Sequence, residues 1–175
     1  MRKRNFDELY KERPSKEELA VKIRNPFCVL VDNVRSLHNV GAIFRTADAA
    51  LLEKIYLCGI TGTPPKNEIR KSSLGSEEAV AWEYHRSALD VVKSLRQKGY
   101  QIIALEQTTA SIDYREARLD APICLIVGHE FDGISDELIS AADIAVEIPM
   151  YGMKISLNVS VAFGIVTFDF IGRLK

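Results

Sequence analysis

The chain has 175 residues, of which 47% are hydrophobic and 27% are charged, and this balance suits one globular domain with a continuous core. The formal net charge of -1 gives no overall attraction to a polyanion, so any contact with nucleic acid must come from local basic patches. The three cysteines lack the paired spacing of a zinc site or a disulfide framework, and no apolar run approaches the ~20 residues that span a bilayer. These features predict a cytoplasmic protein with buried thiols, no bound metal and no membrane span.

Residues 1–24 form a basic, mostly polar segment ahead of the first apolar run, with eight Lys or Arg residues and five acidic ones. Ser15, which follows Pro14 and precedes Glu18 by three positions, is typical of a capping box. It predicts a short helix in this segment. We therefore expect a basic N-terminal arm over residues 1–24 and a single domain over residues 25–175.

Short runs that are apolar throughout recur along the rest of the chain and alternate with helical patterns. This alternation predicts an α/β domain in which a mostly parallel sheet is flanked by helices on both faces. The predicted strands are 27–31, 54–57, 80–84, 101–105, 123–127 and 144–148, and the predicted helices lie near 39–52, 86–98, 135–142 and 156–172. The stretch 59–73, which contains the basic residues Lys66, Arg70 and Lys71, is predicted to be the longest irregular loop.

A first polar block follows the first predicted strand, at the carboxyl edge of the sheet. It opens a helix in which Arg45, two residues after the apolar Ile43, is expected to point away from the packed stripe. Taken alone, the block is better explained by Asn39 as a helix N-cap and by Arg45 as a surface residue paired with Asp48. On its own, therefore, this block does not establish a site.

A second block ends a predicted strand in Gly128 and Glu130. Gly128 would let a ligand approach the backbone and Glu130 would orient a polar group, since ligands of open α/β sheets bind beyond the carboxyl ends of the strands. A simple turn followed by a helix with Ser135 as its N-cap explains the block equally well. Glu106 and Gln107 are a similar polar pair after another strand and, taken singly, are better explained as surface loop residues. A dinucleotide-dependent enzyme is not expected, because no G-x-G-x-x-G follows a strand.

A third block follows the last predicted strand. Pro149 fixes its own φ and Gly152 permits backbone shapes closed to other residues, so a shaped loop is expected to lead into a helix that begins near Ser156. Ser156 and Asn158 would place hydrogen-bonding groups beside free backbone N–H groups, where an anion or a polar ligand could bind. An ordinary helix with Ser156 as its N-cap would explain the end of this block but not the loop. Its buried face would consist of Leu157, Val161, Ile165 and Phe168.

The three histidines, His38, His85 and His129, show no metal-ligand spacing. A single histidine near a strand end is more often a hydrogen-bonded spectator than a catalyst, so none of the three is expected to be catalytic. A serine nucleophile is not expected either, because the chain has no G-x-S-x-G elbow.

Together, and in this order, the three blocks resemble the SpoU (TrmH-like) branch of the SPOUT RNA methyltransferases. The resemblance runs from about Phe27 to Leu174 and rests on motifs at 39–47, 126–135 and 148–162. It implies S-adenosylmethionine as methyl donor, methylation of a ribose 2′-hydroxyl in tRNA or rRNA, a C-terminal trefoil knot and a homodimer. Many relatives carry a separate N-terminal RNA-binding domain where this chain has only its basic arm, which leaves the identity of the substrate RNA open.

The resemblance also implies roles for individual residues. The donor pocket would be lined, largely through backbone groups, by Leu105, Glu106, Gly128, Ile148, Met150 and Leu157. The catalytic group would consist of Asn39, Arg45, Glu130, Ser156 and Asn158. Arg45 would act as the base or, as the high pKa of a guanidinium favours, as a phosphate clamp and stabiliser of the developing alkoxide. The presence of all five residues argues against the alternative, a non-catalytic module that binds S-adenosylmethionine or RNA on the same fold.

Overall fold

A seven-stranded sheet forms the centre of the fold in the computed structural model, which describes residues 1–174 without the side chain of Lys16. The strands are β1 (Asn25–Asp32), β2 (Leu52–Cys58), β3 (Trp82–His85), β4 (Gln101–Leu105), β5 (Ile112–Asp113), β6 (Ile123–Val127) and β7 (Ile144–Glu147). All six pairings are parallel, in the order β3-β2-β1-β6-β4-β7-β5. The predicted parallel α/β sheet is therefore confirmed; β5, with two residues, is too short to leave a pattern in the sequence.

Helices cover both faces of this sheet. They are α1 (Phe6–Glu12), α2 (Lys16–Val21), α3 (Leu37–Ala49), α4 (Asn67–Ser73), α5 (Ser76–Ala79), α6 (Ala88–Gln97), α7 (Asp136–Ala141) and α8 (Val159–Leu174). Alternate residues of β1 belong to opposite cores: Val29 packs in the cluster that includes residues of α3 and α8, and Leu30 in the cluster that includes residues of α6 and α7. All three cysteines are buried and free, as predicted.

The predicted capping box of α2 is confirmed. The Ser15 hydroxyl accepts a hydrogen bond from the N–H of Glu18 at 3.1 Å, and the Glu18 carboxylate accepts one from the N–H of Ser15 at 2.8 Å. A second capping box, which the sequence analysis missed, joins Asn5 to Glu8 at the start of α1. The arm of residues 1–24 thus contains two short capped helices.

The prediction of an irregular loop over 59–73 is wrong in its second half, where α4 forms. This helix has no side-chain hydrogen bond at its N-cap Lys66, so local sequence signals do not start it. Its fully buried Ile69 instead packs beside α3, where Gly41 permits close approach: a Cβ on Gly41 would lie 2.4 Å from the Ile69 carbonyl oxygen. Tertiary packing therefore determines α4.

The start of α3 also differs from the simpler interpretation of its sequence. Its N-cap is Ser36, whose hydroxyl accepts from the N–H of Asn39 at 3.3 Å. The assignment of Asn39 as N-cap is therefore wrong, and the Asn39 side chain makes other contacts. The expected pairing of Arg45 with Asp48 is also wrong, because the Asp48 carboxylate instead accepts from the Ser76 hydroxyl at 3.3 Å.

The last helix begins at Val159, three residues later than predicted. Asn158, rather than Ser156, caps it: its Oδ1 accepts from the N–H of Ser160 at 2.9 Å. The helix packs against α3, and its buried residues are Phe163, Val166, Thr167, Phe170 and Ile171. The predicted buried face is wrong, since its members are between 39% and 53% exposed: Leu157, Val161, Ile165 and Phe168. None of the helices in the described part of the chain combines the length and apolar composition needed to cross a bilayer.

Candidate active site

A cavity of about 310 Å³ lies at the carboxyl ends of β4, β6 and β7. The segments that follow these strands form its walls, and residues 155–157 close it beside the first turns of α8. Open α/β sheets bind their ligands at this edge. All six residues that the family resemblance assigns to the donor pocket line the cavity: Leu105, Glu106, Gly128, Ile148, Met150 and Leu157.

Gly128 lies where two stretches of backbone nearly touch. A Cβ at this position would lie 2.5 Å from the carbonyl carbon and oxygen of Gly133, closer than real Cβ contacts. The two stretches are held by paired backbone hydrogen bonds of 3.0 Å between His129 and Gly133, and Gly133 has a φ of +70°. Only glycine fits at position 128, because the chain's own backbone approaches it, whereas the strand-end pattern predicted the approach of a ligand. Gly152, by contrast, does not adopt a positive φ, so the expectation that it needs glycine-only geometry is wrong.

Glu106 and Gln107 connect the cavity walls to one another. The Glu106 carboxylate accepts from the N–H of Ile134 and from the N–H of Gln107, both at 2.9 Å. The Gln107 amide donates to the carbonyl oxygen of Ile155 at 2.6 Å. Both residues lie in the loop after β4, as predicted, and Gln107 is exposed, but their hydrogen bonds also tie the end of β4 to both other walls.

A hydrogen-bonded chain of three side chains runs beside the cavity. The Glu130 carboxylate accepts from the Asn39 amide at 2.9 Å, and the Asn158 amide donates to Oδ1 of Asn39 at 3.0 Å. Glu130 also accepts from the backbone N–H groups of Arg35 (3.0 Å) and Ser36 (2.9 Å). The chain therefore joins the loop after β6, the start of α3 and the N-cap of α8. Arg35 and Ser36 were not among the predicted site residues, although Ser36, three residues before Asn39, carries a capping signal.

Glu130 is the charged member of this chain. Burial alone would raise the pKa of its carboxyl group, but the hydrogen bonds from the N–H groups of Arg35 and Ser36 and from Asn39 outweigh burial and lower the pKa overall. An ionised carboxylate can only accept hydrogen bonds. The Asn39 amide nitrogen must therefore face Glu130, which leaves its oxygen to accept from Asn158.

Arg45 stands apart from the other predicted catalytic residues. It follows Asn39 by six residues, roughly 9 Å along the axis of α3 at 1.5 Å per residue, and it does not line the cavity. It is exposed, as predicted, and within residues 1–174 it has no hydrogen bond or ion pair. It lies in a groove between α3, α4 and α8 that Lys71 and Phe168 also line. Ser156, in contrast, lines the cavity together with Glu130.

The cavity lining is acidic. It carries four carboxylates and, within the described residues, neither Lys nor Arg. The carboxylates belong to Glu106, Glu130, Asp132 and Glu147. Across residues 1–174, no three His, Cys, Asp or Glu side chains are grouped as metal ligands. The charge of the lining favours a ligand with positive charge over a polyanion.

Comparison with known proteins gives one consistent result. The model of the SpoU rRNA Methylase family matches residues 26–168. The chain is 36% identical over 153 residues to a tRNA (guanosine(18)-2′-O)-methyltransferase of Aquifex aeolicus. This alignment covers 87% of this chain and 72% of the relative. The corresponding relative of Escherichia coli is 32% identical over 152 residues, with 87% of this chain and 66% of the relative covered.

Solved structures agree with this result. The crystal structure of the A. aeolicus TrmH/SpoU tRNA modifying enzyme matches with a TM-score of 0.82 and 32% identity, covering 95% of this chain and 83% of the other. The structure of an AdoMet-bound rRNA methyltransferase from Sinorhizobium meliloti matches with a TM-score of 0.81 and 32% identity, covering 87% and 58%. Sequence motifs, fold and family match therefore agree, and the chain belongs to the SpoU rRNA Methylase family.

Proposed function

We propose that this protein is an S-adenosylmethionine-dependent RNA methyltransferase that acts on a ribose 2′-hydroxyl of tRNA or rRNA. One observation carries the proposal: Glu130 both lines the cavity and belongs to the hydrogen-bonded chain of Glu130, Asn39 and Asn158. A pocket for the methyl donor therefore lies beside polar side chains that can orient a hydroxyl group. The relatives named above are tRNA (guanosine(18)-2′-O)-methyltransferases, of which the chain spans 66–72%, so tRNA is the first RNA to test.

The cavity suits the proposed donor in size and charge. Its volume of about 310 Å³ lies at the lower end of the ~300–1,000 Å³ range of small-molecule sites. The apolar side chains of Leu105, Ile148 and Leu157 offer surface for a nucleobase, and the carboxylates of Glu106 and Glu147 offer partners for cationic groups. S-adenosylmethionine carries a sulfonium and an ammonium group, whereas the pyrophosphate of NAD would meet like charge.

When bound, S-adenosylmethionine would supply a methyl group on a positively charged sulfur for transfer to the ribose 2′-oxygen, and the proton of the 2′-hydroxyl would pass to solvent. Asn39 and Asn158 would orient the hydroxyl group, because Glu130 fixes the direction of the Asn39 amide. Ser156 would hold the loop that closes the cavity. A guanidinium cation donates hydrogen bonds and has no acceptor site, so we assign Arg45 to an RNA phosphate and to the developing alkoxide rather than to proton removal. Positioning supplies much of the acceleration.

The donor assignment predicts which ligands bind. S-adenosylmethionine and S-adenosylhomocysteine should each release or absorb measurable heat on titration into the protein, whereas NAD should give none. Isothermal calorimetry, followed by methyl transfer to bulk tRNA and rRNA and mass-spectrometric mapping of methylated riboses, makes the test. NAD binding without a response to either sulfur compound would contradict the proposal. Donor binding without transfer to any RNA would identify the non-catalytic module instead.

We also propose that the protein is a homodimer that pairs through α8. Val161, Ile165 and Phe168 follow one another at helical spacing, so they form one exposed apolar face, with exposures of 50%, 39% and 53%. A second copy could cover this face symmetrically. Ile171, three residues after Phe168, is only 7% exposed and belongs to the core. Arg45 shares its groove with Phe168, so the pairing would bring a partner close to Arg45.

Charge on this face should break the dimer. Phe168→Glu is expected to give a folded monomer, because a carboxylate buried between two apolar faces loses its hydration. Light scattering measures the mass, and circular dichroism checks the fold. Ile60→Glu, at a side chain that is 67% exposed in the loop after β2, is the matched control and should stay dimeric. A parent protein that is monomeric and active at working concentration would contradict the proposal.

The basic groups proposed to contact RNA lie mainly on α4. Arg2 is paired with Glu8 at 2.5 Å and Arg4 with Glu12, so these arginines of the arm already have partners. Lys66, Arg70 and Lys71 are exposed and, among the described residues, make no side-chain ion pair. These three residues are therefore the better candidates for phosphate contacts.

Salt dependence tests this assignment. Changing Lys66, Arg70 and Lys71 together to Gln should weaken RNA binding and flatten the slope of log K against log salt by about 0.7–0.9 per lost contact, because fewer counterions are released. A matched triple change on the other side of the sheet should leave the slope unchanged: Arg86, Lys93 and Lys98 to Gln. Equal slopes for the α4 variant and the parent would place the RNA elsewhere.

Three further expectations remain proposals. The arm over residues 1–24 and the domain from residue 25 agree with the bounds of β1 and of the family match. The C-terminal trefoil knot stays a prediction of the family resemblance. A cytoplasmic location is proposed because the named relatives act on tRNA.

A further inference from the structure

His129 lies in the tight turn that forms one wall of the cavity, between Gly128 and Gly133. Its side chain is only 14% exposed. The ring nitrogen Nδ1 lies 3.0 Å from the backbone nitrogen of Asp132 and 3.3 Å from that of Phe131, with both N–H groups directed at it. One ring nitrogen thus accepts hydrogen bonds from two backbone N–H groups of this turn.

The two hydrogen bonds from the backbone require one particular tautomer of the ring. A nitrogen that accepts from two N–H groups cannot itself carry a proton, so the proton of the neutral imidazole lies on Nε2. The ring nitrogen occupies the role that the side-chain oxygen of Asn or Asp plays when it accepts from amides two and three residues ahead. His129 therefore shapes the turn through its unprotonated Nδ1.

The turn that His129 shapes is packed directly against the proposed donor-binding groups. Gly133 closes the turn and touches Gly128, and the next N–H, of Ile134, bonds to the Glu106 carboxylate. Glu130, one residue after His129, holds Asn39. A change in the turn must therefore displace the backbone at Gly128, the Glu106 wall or both.

We propose that His129 is a positioning residue for the methyl donor. Its Nδ1 accepts hydrogen bonds from the N–H groups of residues 131 and 132 and so keeps the turn in the shape that binds the donor. The inference rests on the proposed donor site. It requires a neutral imidazole, since a proton on Nδ1 would remove the acceptor.

Oδ2 of Asp132 also lies 3.0 Å from Nδ1, so a proton on Nδ1 would be donated to this carboxylate in place of the two hydrogen bonds from the backbone. The proposed role therefore requires Nδ1 without a proton.

Two substitutions separate this role from simple packing. His129→Ala removes the acceptor and should weaken the affinity for S-adenosylhomocysteine about tenfold, as expected for the loss of hydrogen bonds that set one wall. His129→Asn restores an acceptor at the same distance from the backbone and should stay within about twofold of the parent. Calorimetry measures both affinities, and melting temperatures confirm that each variant is folded.

The inference is overturned if His129→Asn binds S-adenosylhomocysteine as weakly as His129→Ala. A parent that binds no S-adenosylhomocysteine would instead overturn the proposed function.

Discussion

Arg45→Ala is expected to lower methyl transfer by roughly 10²–10³, the usual cost of deleting one preorganised charge-stabilising donor. The fold should not change, because Arg45 is exposed and, within residues 1–174, has no hydrogen bond or ion pair to lose. Donor binding should also stay near the parental value, since Arg45 does not line the cavity. Single-turnover transfer to bulk RNA from a strain that lacks the enzyme, together with melting temperatures and calorimetry, measures all three quantities.

Arg45→Lys is the matched control for charge. It should not restore the rate, because an ammonium group cannot reproduce the planar two-pronged contact of a guanidinium with phosphate. A near-parental rate in well-folded Arg45→Ala would remove Arg45 from the mechanism. A parental rate in Arg45→Lys would show that position 45 needs only a positive charge and not the planar shape of a guanidinium.

Gly128→Ala is expected to abolish donor binding, with a loss of more than about 100-fold in affinity. The added Cβ would lie 2.5 Å from the Gly133 carbonyl and 2.6 Å from the Ile134 nitrogen. These atoms are backbone, so relief requires the whole turn to move away from Glu106. Overpacking of this kind costs about 1–3 kcal/mol of folding stability, so the melting temperature should fall while the protein remains folded.

Gly152→Ala is the control within the same site. A Cβ at Gly152 would meet nothing within 4 Å, and its φ is not positive, so binding and stability should change little. Calorimetry with S-adenosylhomocysteine compares the two variants. Parental affinity in Gly128→Ala would show that the cavity between β4, β6 and β7 is not the donor site.

Mixed dimers of these two variants locate the place at which Arg45 acts. A protomer with Arg45→Ala keeps an intact cavity, and a protomer with Gly128→Ala keeps an intact Arg45. If Arg45 serves the cavity of its partner, co-expressed and tag-purified mixed dimers should recover about half the parental rate, because one of two equivalent sites is complete. If Arg45 serves its own cavity, the mixed dimers should be as inactive as the pure variants.

Sequence patterns indicated the residues of the candidate site better than the bounds of the helices around it. Gly128 was identifiable because strand ends in a parallel sheet meet at one edge, which is a property of the fold class, whereas only the family resemblance assigned Glu106 to the pocket. The start of α8 was predicted three residues early because Ser156 and Asn158 are both good N-caps. Asn158 bonds to Asn39, which is 119 residues away in the sequence, and local patterns do not reveal such a contact. Helix α4 was missed for a similar reason, since the burial of Ile69 depends on Gly41 of another helix.

The separation of Arg45 from the other predicted catalytic residues could not be read from the motifs. Asn39 and Arg45 belong to one motif, and helix geometry indicates only that Arg45 leaves the packed stripe. Lys71 of α4 and Phe168 of α8 also line the groove that contains Arg45. The sequence motifs do not indicate how these two helices pack against α3.

The length of chain between Asn39 and Asn158 has a consequence for the synthesis of the protein. The two residues are 119 positions apart, and Glu130 and Ile155 must also be in place before the cavity has all its walls. A nascent chain that ends before β7 can already pair β1, β2, β3, β4 and β6, yet it contains no complete site. Contacts of such separation form late, after most of the loop entropy has been lost. We therefore expect no methyl transfer from a polypeptide that ends before Asn158.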